Sequence, residues 1–414
     1  MNGPVDRRRF LTVSAAVFAA RPGSGAAGGR AREGGELPAA EGKGRPPGEA
    51  LRRPLGRTGI EVFPVGLGGS PVPAEAVFRR ALERGVNYVD TSPSYMNGNS
   101  ERIIGRLIEG RREQVCITTK FHPARRGRKT RRQIAADLET GLKRLGTDYV
   151  DGFLLHGAVR ADQLLDEEVL AAFEALKKAG RIRFCGASCH RDPAGVLLPA
   201  VRKGYLDVVT VAFSAYSAKG FDKDKVYKDL LRASGLDVLF AEARKRGVGV
   251  VAMKTMAGGA RQDLSAFRGR EVTPAQAKLR WVLSREGVSC AVTEMPTFEI
   301  LEENLAAAER GPAPGEEEAL DAYVRATSSR TCRFCGSCLP ACPQGIPVPD
   351  LLRYLAYHDG SHGKKAAARA AYRAVPRERN AAACRECGRC EAACPFGVDT
   401  RSLLRRAAAL LGRG

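Results

Sequence analysis

Eight of the chain's twelve cysteines fall in two runs of one spacing: Cys332-x-x-Cys335-x-x-Cys338-x-x-x-Cys342-Pro343 recurs as Cys384-x-x-Cys387-x-x-Cys390-x-x-x-Cys394-Pro395. Three close thiolates and a fourth before proline is the bacterial spacing for 4Fe-4S ligation, in which the last cysteine of each run reaches the other run's cluster. The spacing therefore predicts one cluster on Cys332, Cys335, Cys338 and Cys394 and another on Cys384, Cys387, Cys390 and Cys342. Zinc, which takes four ligands generally as separated pairs, fits two such runs poorly. The other four cysteines, Cys116, Cys185, Cys189 and Cys290, stand singly and read as small buried apolar residues. Upstream lies a second chemical set, Asp90, Tyr95, Lys120 and His156. A phenol with a pKa of about 10 is a poor acid near neutrality, but a neighbouring ammonium favours its phenolate. Lys120 could do that for Tyr95, Asp90 could keep the lysine charged and oriented, and His156 could hydrogen-bond a substrate oxygen as charge develops there.

Asp90, Lys120 and His156 end short β-branched runs, with Tyr95 five residues beyond Asp90, and these runs are the elements that must position them. The runs are Val62 to Gly68, Val86 to Asp90, Val115 to Lys120, Tyr149 to His156, Ile182 to Ser188, Val208 to Phe213, Val248 to Lys254 and Val288 to Thr293. Between them lie helix-like stretches, several ending in cations followed by glycine, as at Lys177-Lys178-Ala179-Gly180 and Lys245-Arg246-Gly247. A helix C-terminus favours cations for its dipole and glycine for its left-handed cap. Nearly continuous apolar strands alternating with helices indicate a parallel sheet covered on both faces, and eight units indicate a closed (β/α)₈ TIM barrel. The competing doubly wound sheet has only Gly66-Leu67-Gly68-Gly69 in its favour, an incomplete dinucleotide loop. In a barrel the C-terminal strand ends converge on one mouth, which brings Asp90, Tyr95, Lys120 and His156 together.

On these residues the sequence resembles the aldo/keto reductase family over about residues 52 to 310. The motifs are Asn87-Tyr88-Val89-Asp90-Thr91-Ser92-Pro93-Ser94-Tyr95, Thr118-Thr119-Lys120, Leu154-Leu155-His156, Gly186-Ala187-Ser188 and Glu302-Glu303-Asn304-Leu305. The resemblance implies nicotinamide-dependent interconversion of a small carbonyl or alcohol substrate, with Tyr95 as proton donor, Lys120 and Asp90 tuning it, and His156 orienting the carbonyl. It also implies cofactor contacts from Ser188 to the carboxamide and from Glu303 and Asn304 to the adenine. Departures fall at Cys189, at Thr210, at Met253-Lys254 in place of an aromatic platform, and at Glu294 and Ile300 where cations would hold a 2′-phosphate. A carboxylate at that place favours NAD over NADP. The C-terminal segment resembles two-cluster ferredoxins. Its motifs start 52 residues apart, and the insert (Leu351 to Tyr357, then Lys364 to Ala374) has helical composition, so the helical ferredoxin type is expected.

The 414 residues suit one large and one small domain: an aldo/keto reductase barrel over 52–315 and a ferredoxin-like domain over 325–414. Apolar residues at 44% and charged ones at 27% exclude a disordered chain, and no apolar run reaches the roughly 18 residues of a membrane span, so an integral membrane protein is not expected. Arg7-Arg8-Arg9-Phe10-Leu11, a weakly apolar stretch to Ala20 and small residues after it resemble a twin-arginine export signal over 1–30, followed by a linker over 31–51. That address implies an extracytoplasmic, periplasmic location for a protein exported already folded. The net charge of +21 comes without any nucleic-acid module, so no nucleic-acid partner is expected. The arginine-rich tail either neutralises anionic clusters, docks an acidic redox partner protein, or is a solvated face. The readings left open are an exported oxidoreductase whose clusters transfer electrons, an electron-transfer or docking subunit with a non-catalytic barrel, and an enzyme whose clusters are structural.

Overall fold

A computed structural model describes residues 51–124, 127–190, 192–217, 235–257, 264–360 and 365–412; the twin-arginine motif and nearly all of the linker lie outside them. Eight parallel strands close into a barrel: β1 (Val65–Gly68), β2 (Tyr88–Asp90), β3 (Cys116–Phe121), β4 (Val150–Leu155), β5 (Ile182–Cys189), β6 (Val208–Ala212), β7 (Gly249–Met253) and β8 (Val288–Thr293). Strand β8 closes on β1 with Ala291 opposite Val65. The first expected run, from Val62, divides at Pro64, which has no N–H for the ladder. Glu61–Val62 instead pairs antiparallel with Arg53–Pro54. This hairpin buries Leu55, Ile60 and Val62 against Tyr88, Cys116, Leu154, Phe184, Val208, Val251 and Cys290, plugging the barrel interior from one end.

Strand residues alternate between faces, so this inner layer fixes the parity of everything above it. Two residues beyond Tyr88 comes Asp90; two and four beyond Cys116 come Thr118 and Lys120; two beyond Val208 comes Thr210; four beyond Phe184 comes Ser188. The outward face of the same strands packs on the surrounding helices in the larger core. Those helices are α1 (Glu75–Glu83), α2 (Asn99–Leu107), α3 (Arg131–Leu145), α4 (Glu167–Lys178), α5 (Pro193–Arg202), α6 (Leu236–Lys245), α7 (Pro274–Leu283) and α8 (Phe298–Ala306). Capping residues start several of them: Thr130 and Gln133 form a reciprocal capping box on α3, and Thr273 and Gln276 form one on α7.

Helix α9 (Glu316–Thr327) lies past residue 315, yet it buries Ala319, Leu320, Tyr323 and Val324 in the barrel core. It is fastened there by a buried Arg280–Glu316 ion pair at 2.9 Å and by a 2.6 Å hydrogen bond between Tyr216 and Thr327. The C-terminal domain has its own core around α10 (Val348–Gly360), α11 (Lys365–Arg373) and α12 (Thr400–Leu411). The insert between the cysteine motifs is thus helical, as its composition predicts. No helix among the described residues is long and apolar enough to cross a membrane.

Candidate active site and cysteine hollows

Lys120 and Asp90 are both almost completely buried, at 2% and 5% exposure, and the Lys120 Nζ donates to Asp90 Oδ1 at 2.6 Å. Burial pulls the lysine down and the aspartate up toward their neutral forms, and the mutual attraction at this distance opposes both shifts. A second bond of 2.6 Å, to the Thr91 carbonyl, fixes the ammonium further. Tyr95 opens a single helical turn, Tyr95–Gly98, in which Met96 and Asn97 are left-handed at φ 51° and 55°. The Lys120 Nζ stands 5.0 Å from the Tyr95 ring centroid, and the Tyr95 hydroxyl donates to Asp90. Burial, then the Asp90 carboxylate, pushes the Tyr95 phenol well above its ordinary range. The ammonium thus bonds Asp90 and the Thr91 carbonyl, and Tyr95 stays a phenol at neutral pH.

His156 follows β4, with its N–H on the Phe121 carbonyl at 2.8 Å. Its Nδ1 lies 2.9 Å from Ser92 Oγ, and its ring meets Tyr95 edge-on at 5.7 Å and His122 at 4.5 Å. Burial, reinforced by the positive charge of Lys120 and by His122, His190 and Lys254, draws its pKa down to about 2. The imidazole is therefore neutral at and around neutral pH. All four expected residues therefore meet at one mouth. Sequence reasoning missed Ser92, which lies inside the Thr91-Ser92-Pro93 motif, and Glu101, which is fully buried, accepts from Thr119 at 2.7 Å and pairs with Arg144 at 3.0 Å.

The residues expected to touch a nucleotide are spread around the same mouth. Ser188 on β5 accepts from the Gly157 N–H at 2.8 Å and sits in register with Thr210 on β6. Thr210 is 1% exposed and its hydroxyl has no hydrogen-bond partner among the described residues. Asn304 on α8 is equally buried; its amide nitrogen reaches Thr293 at 3.5 Å while its Oδ1 meets no partner among the described residues. Glu303 is half-buried beside it, and Cys189 is fully buried in the outer core. Buried polar atoms are nearly always hydrogen-bonded, so two orphans at the places assigned to carboxamide and adenine fit a ligand that supplies the missing partners.

The eight clustered cysteines line two hollows. One takes Cys332, Cys335 and Cys338 from the first motif with Cys394 from the second; the other takes Cys384, Cys387 and Cys390 with Cys342. The crossing of the fourth cysteine follows the pattern read from the spacing. Backbone conformation repeats as well: Phe334, Gly336 and Gly345 are left-handed, and so are Glu386, Gly388 and Gly397, 52 residues later. Such turns direct backbone N–H groups inward, as anionic iron-sulfur sites require; the Phe334 N–H lies 3.3 Å from the Cys332 sulfur.

A barrel that gathers a paired lysine and aspartate, a phenol and a neutral imidazole around unfilled polar atoms, and that shares its chain with two thiolate hollows, defines a redox protein. Residues 68–270 match the aldo/keto reductase family, and residues 326–395 match the 4Fe-4S dicluster domain. The uncharacterized oxidoreductase YqkF of Bacillus subtilis is 26% identical over 301 residues, 66% of this chain and 96% of that protein. The methylglyoxal reductase YeaE of Escherichia coli is 26% identical over 62% of this chain and 86% of its own. Among solved structures, an aldo/keto reductase from Klebsiella pneumoniae in complex with NADP and acetate is 25% identical with a TM-score of 0.51, over 64% of this chain and 93% of that one. The barrel is an aldo/keto reductase domain joined to a 4Fe-4S dicluster domain, and the protein is an oxidoreductase.

Proposed function

We propose that the barrel interconverts a small carbonyl and its alcohol with Tyr95 as proton donor, and that Cys332, Cys335, Cys338 and Cys394, with Cys384, Cys387, Cys390 and Cys342, hold two 4Fe-4S clusters for electron transfer. The observation that carries this reading is the buried Lys120–Asp90 pair at 2.6 Å beneath Tyr95 and beside a neutral His156. In this reading the Ser92 hydroxyl, which also lies 3.0 Å from Ser94 Oγ, donates to His156 Nδ1 at 2.9 Å, and the imidazole proton sits on Nε2. That N–H and the Tyr95 hydroxyl, once it turns from Asp90 to the substrate, can hold one carbonyl oxygen between them. As charge develops on the oxygen, Tyr95 gives up its proton and the Lys120 ammonium steadies the phenolate. A nicotinamide nucleotide, held by Ser188 and Thr210 at one end and Glu303 and Asn304 at the other, would supply or take the hydride, and the clusters would move electrons singly.

Glu294 beyond β8 and Ile300 at the start of α8 offer no cation for a 2′-phosphate, which supports NAD over NADP. The Arg7-Arg8 signal supports export with the clusters already inserted, and an acidic redox partner would complete the electron path. A second reading, a docking subunit with a non-catalytic barrel, draws on one observation: Lys254, where the family resemblance sets an aromatic platform, is engaged by Tyr357 of the cluster domain. Steady-state assays on anaerobically purified protein, with NADH or NADPH and methylglyoxal as the probe carbonyl, separate the two. Under the catalytic reading, Tyr95→Phe lowers kcat by about 10² to 10⁴ with iron content unchanged. Equal rates in both proteins would assign turnover to another group.

A further inference from the structure

Lys254 follows β7 at the barrel mouth with a left-handed backbone, φ 58°, a conformation costly for a residue with a Cβ and most often kept at functional positions. Its ammonium leaves the barrel. The Lys254 Nζ donates to the Tyr357 hydroxyl of α10 at 2.9 Å and stands 5.3 Å from that ring's centroid and 5.8 Å from the Phe334 centroid. Phe334 lies between Cys332 and Cys335, and its N–H is 3.3 Å from the Cys332 sulfur that lines the first hollow. The adjoining residue, Arg333, lines that hollow and faces both Tyr216 of the barrel, at 5.5 Å, and Phe396, at 5.1 Å. Two successive residues of the first cysteine loop therefore rest on the barrel mouth. On the barrel side the Lys254 charge reaches His156, and Tyr357 lies within electrostatic range of Tyr95.

We propose that Lys254 is a positioning residue shared by two sites: its ammonium couples a nicotinamide nucleotide bound in the barrel mouth to the charge on a cluster in the first hollow. This rests on the proposed nucleotide and cluster sites. Reduction adds one negative charge to a cluster, which a nearby cation favours, so Lys254 raises that cluster's potential. An anionic nucleotide draws on the same ammonium and lowers the potential again. By reciprocity, reducing the cluster weakens nucleotide binding by the same factor.

The test is an EPR-monitored redox titration of the full, cluster-loaded chain, with and without saturating NAD⁺ or NADP⁺, for the native protein, Lys254→Met and Lys254→Arg. Cys335→Ala identifies which signal belongs to the first hollow. Lys254→Met should lower the reduced-to-oxidised ratio of that cluster about tenfold at a fixed poise, about 59 mV for a one-electron couple, and leave the other cluster alone. Lys254→Arg should behave as the native protein. Nucleotide should lower the same potential in the native protein and leave Lys254→Met unmoved. Unchanged potentials in Lys254→Met, or equal shifts in both clusters, would overturn the proposal. Nucleotide binding is read separately by protein fluorescence: no binding defeats the nicotinamide reading, whereas binding without a shift in potential defeats the coupling alone.

Discussion

Thr210 Oγ1 is a buried hydroxyl with no hydrogen-bond partner among the described residues, on the strand beside Ser188. A lone polar group of this kind costs roughly 1 to 3 kcal/mol unless something fills its hydrogen-bonding capacity. Thr210→Val keeps the shape and removes the hydroxyl. In the absence of nucleotide it should stabilise the protein by about 1 kcal/mol, and it should weaken nicotinamide nucleotide binding roughly tenfold. Thermal unfolding without ligand and a fluorescence titration with NADH check the two halves; unchanged affinity would mean the hydroxyl meets no part of the nucleotide. At this scale the sequence is a good guide to Asp90, Lys120 and His156, because each ends an apolar run at the barrel mouth, and to Tyr95 because it follows Asp90 by five residues. It is a poor guide to their electrostatics. The lysine expected to lower the Tyr95 pKa is bonded to Asp90, and burial, which no local pattern reports, pushes the phenol up.

Between strands, β5 and β6 approach so closely at Gly186 that an added Cβ would lie 2.0 Å from the Val208 carbonyl oxygen. The clash is with backbone in a paired strand, and no flexible side chain can yield. Gly186→Ala should therefore push the two strands apart, costing about 1 to 3 kcal/mol and lowering Tm by about 5 °C. Ser188 and Thr210 lie on these strands just beyond the clash, so nucleotide affinity should fall as well, while iron content, set in another domain, holds. Calorimetry with an iron assay decides; a fully tolerated alanine would show that the strand spacing is loose. The strands themselves were legible because each is a short apolar run closed by a turn, and the observed ladders match the expected runs, passing them by one residue at Phe121 and Cys189. Their exceptions have local causes. Pro64 divides the first run, and α9 follows the Gly311-Pro312-Ala313-Pro314-Gly315 stretch that reads as a domain boundary, although its apolar face completes the barrel core.

Across the whole molecule, the two domains meet through residues that carry no recognisable signal. Nothing around Tyr357 or Phe334 predicts a meeting with Lys254 some hundred residues earlier, since only the folded path of the linking helix brings them together. The cysteine motifs are the opposite case: a long-range arrangement is legible because the spacing within each run leaves its fourth cysteine out of reach of its own site. The two hollows embody this, each mixing three cysteines of one motif with one of the other. The fourth cysteines therefore tie the start of the cluster domain to its end, and losing one should remove a cluster from the opposite motif. Cys394→Ala should abolish the same EPR signal as Cys335→Ala, and Cys342→Ala the same signal as Cys387→Ala, with iron falling from about eight to about four per chain in every case. If Cys394→Ala instead removes the signal lost in Cys387→Ala, each motif binds its own cluster and the crossing fails. Under crossed ligation the two single-cluster variants should also expose different helices to proteolysis. An empty first hollow frees the loop that rests on the barrel through Arg333 and Phe334, whereas an empty second hollow loosens the packing of α12, whose Leu404 lines it.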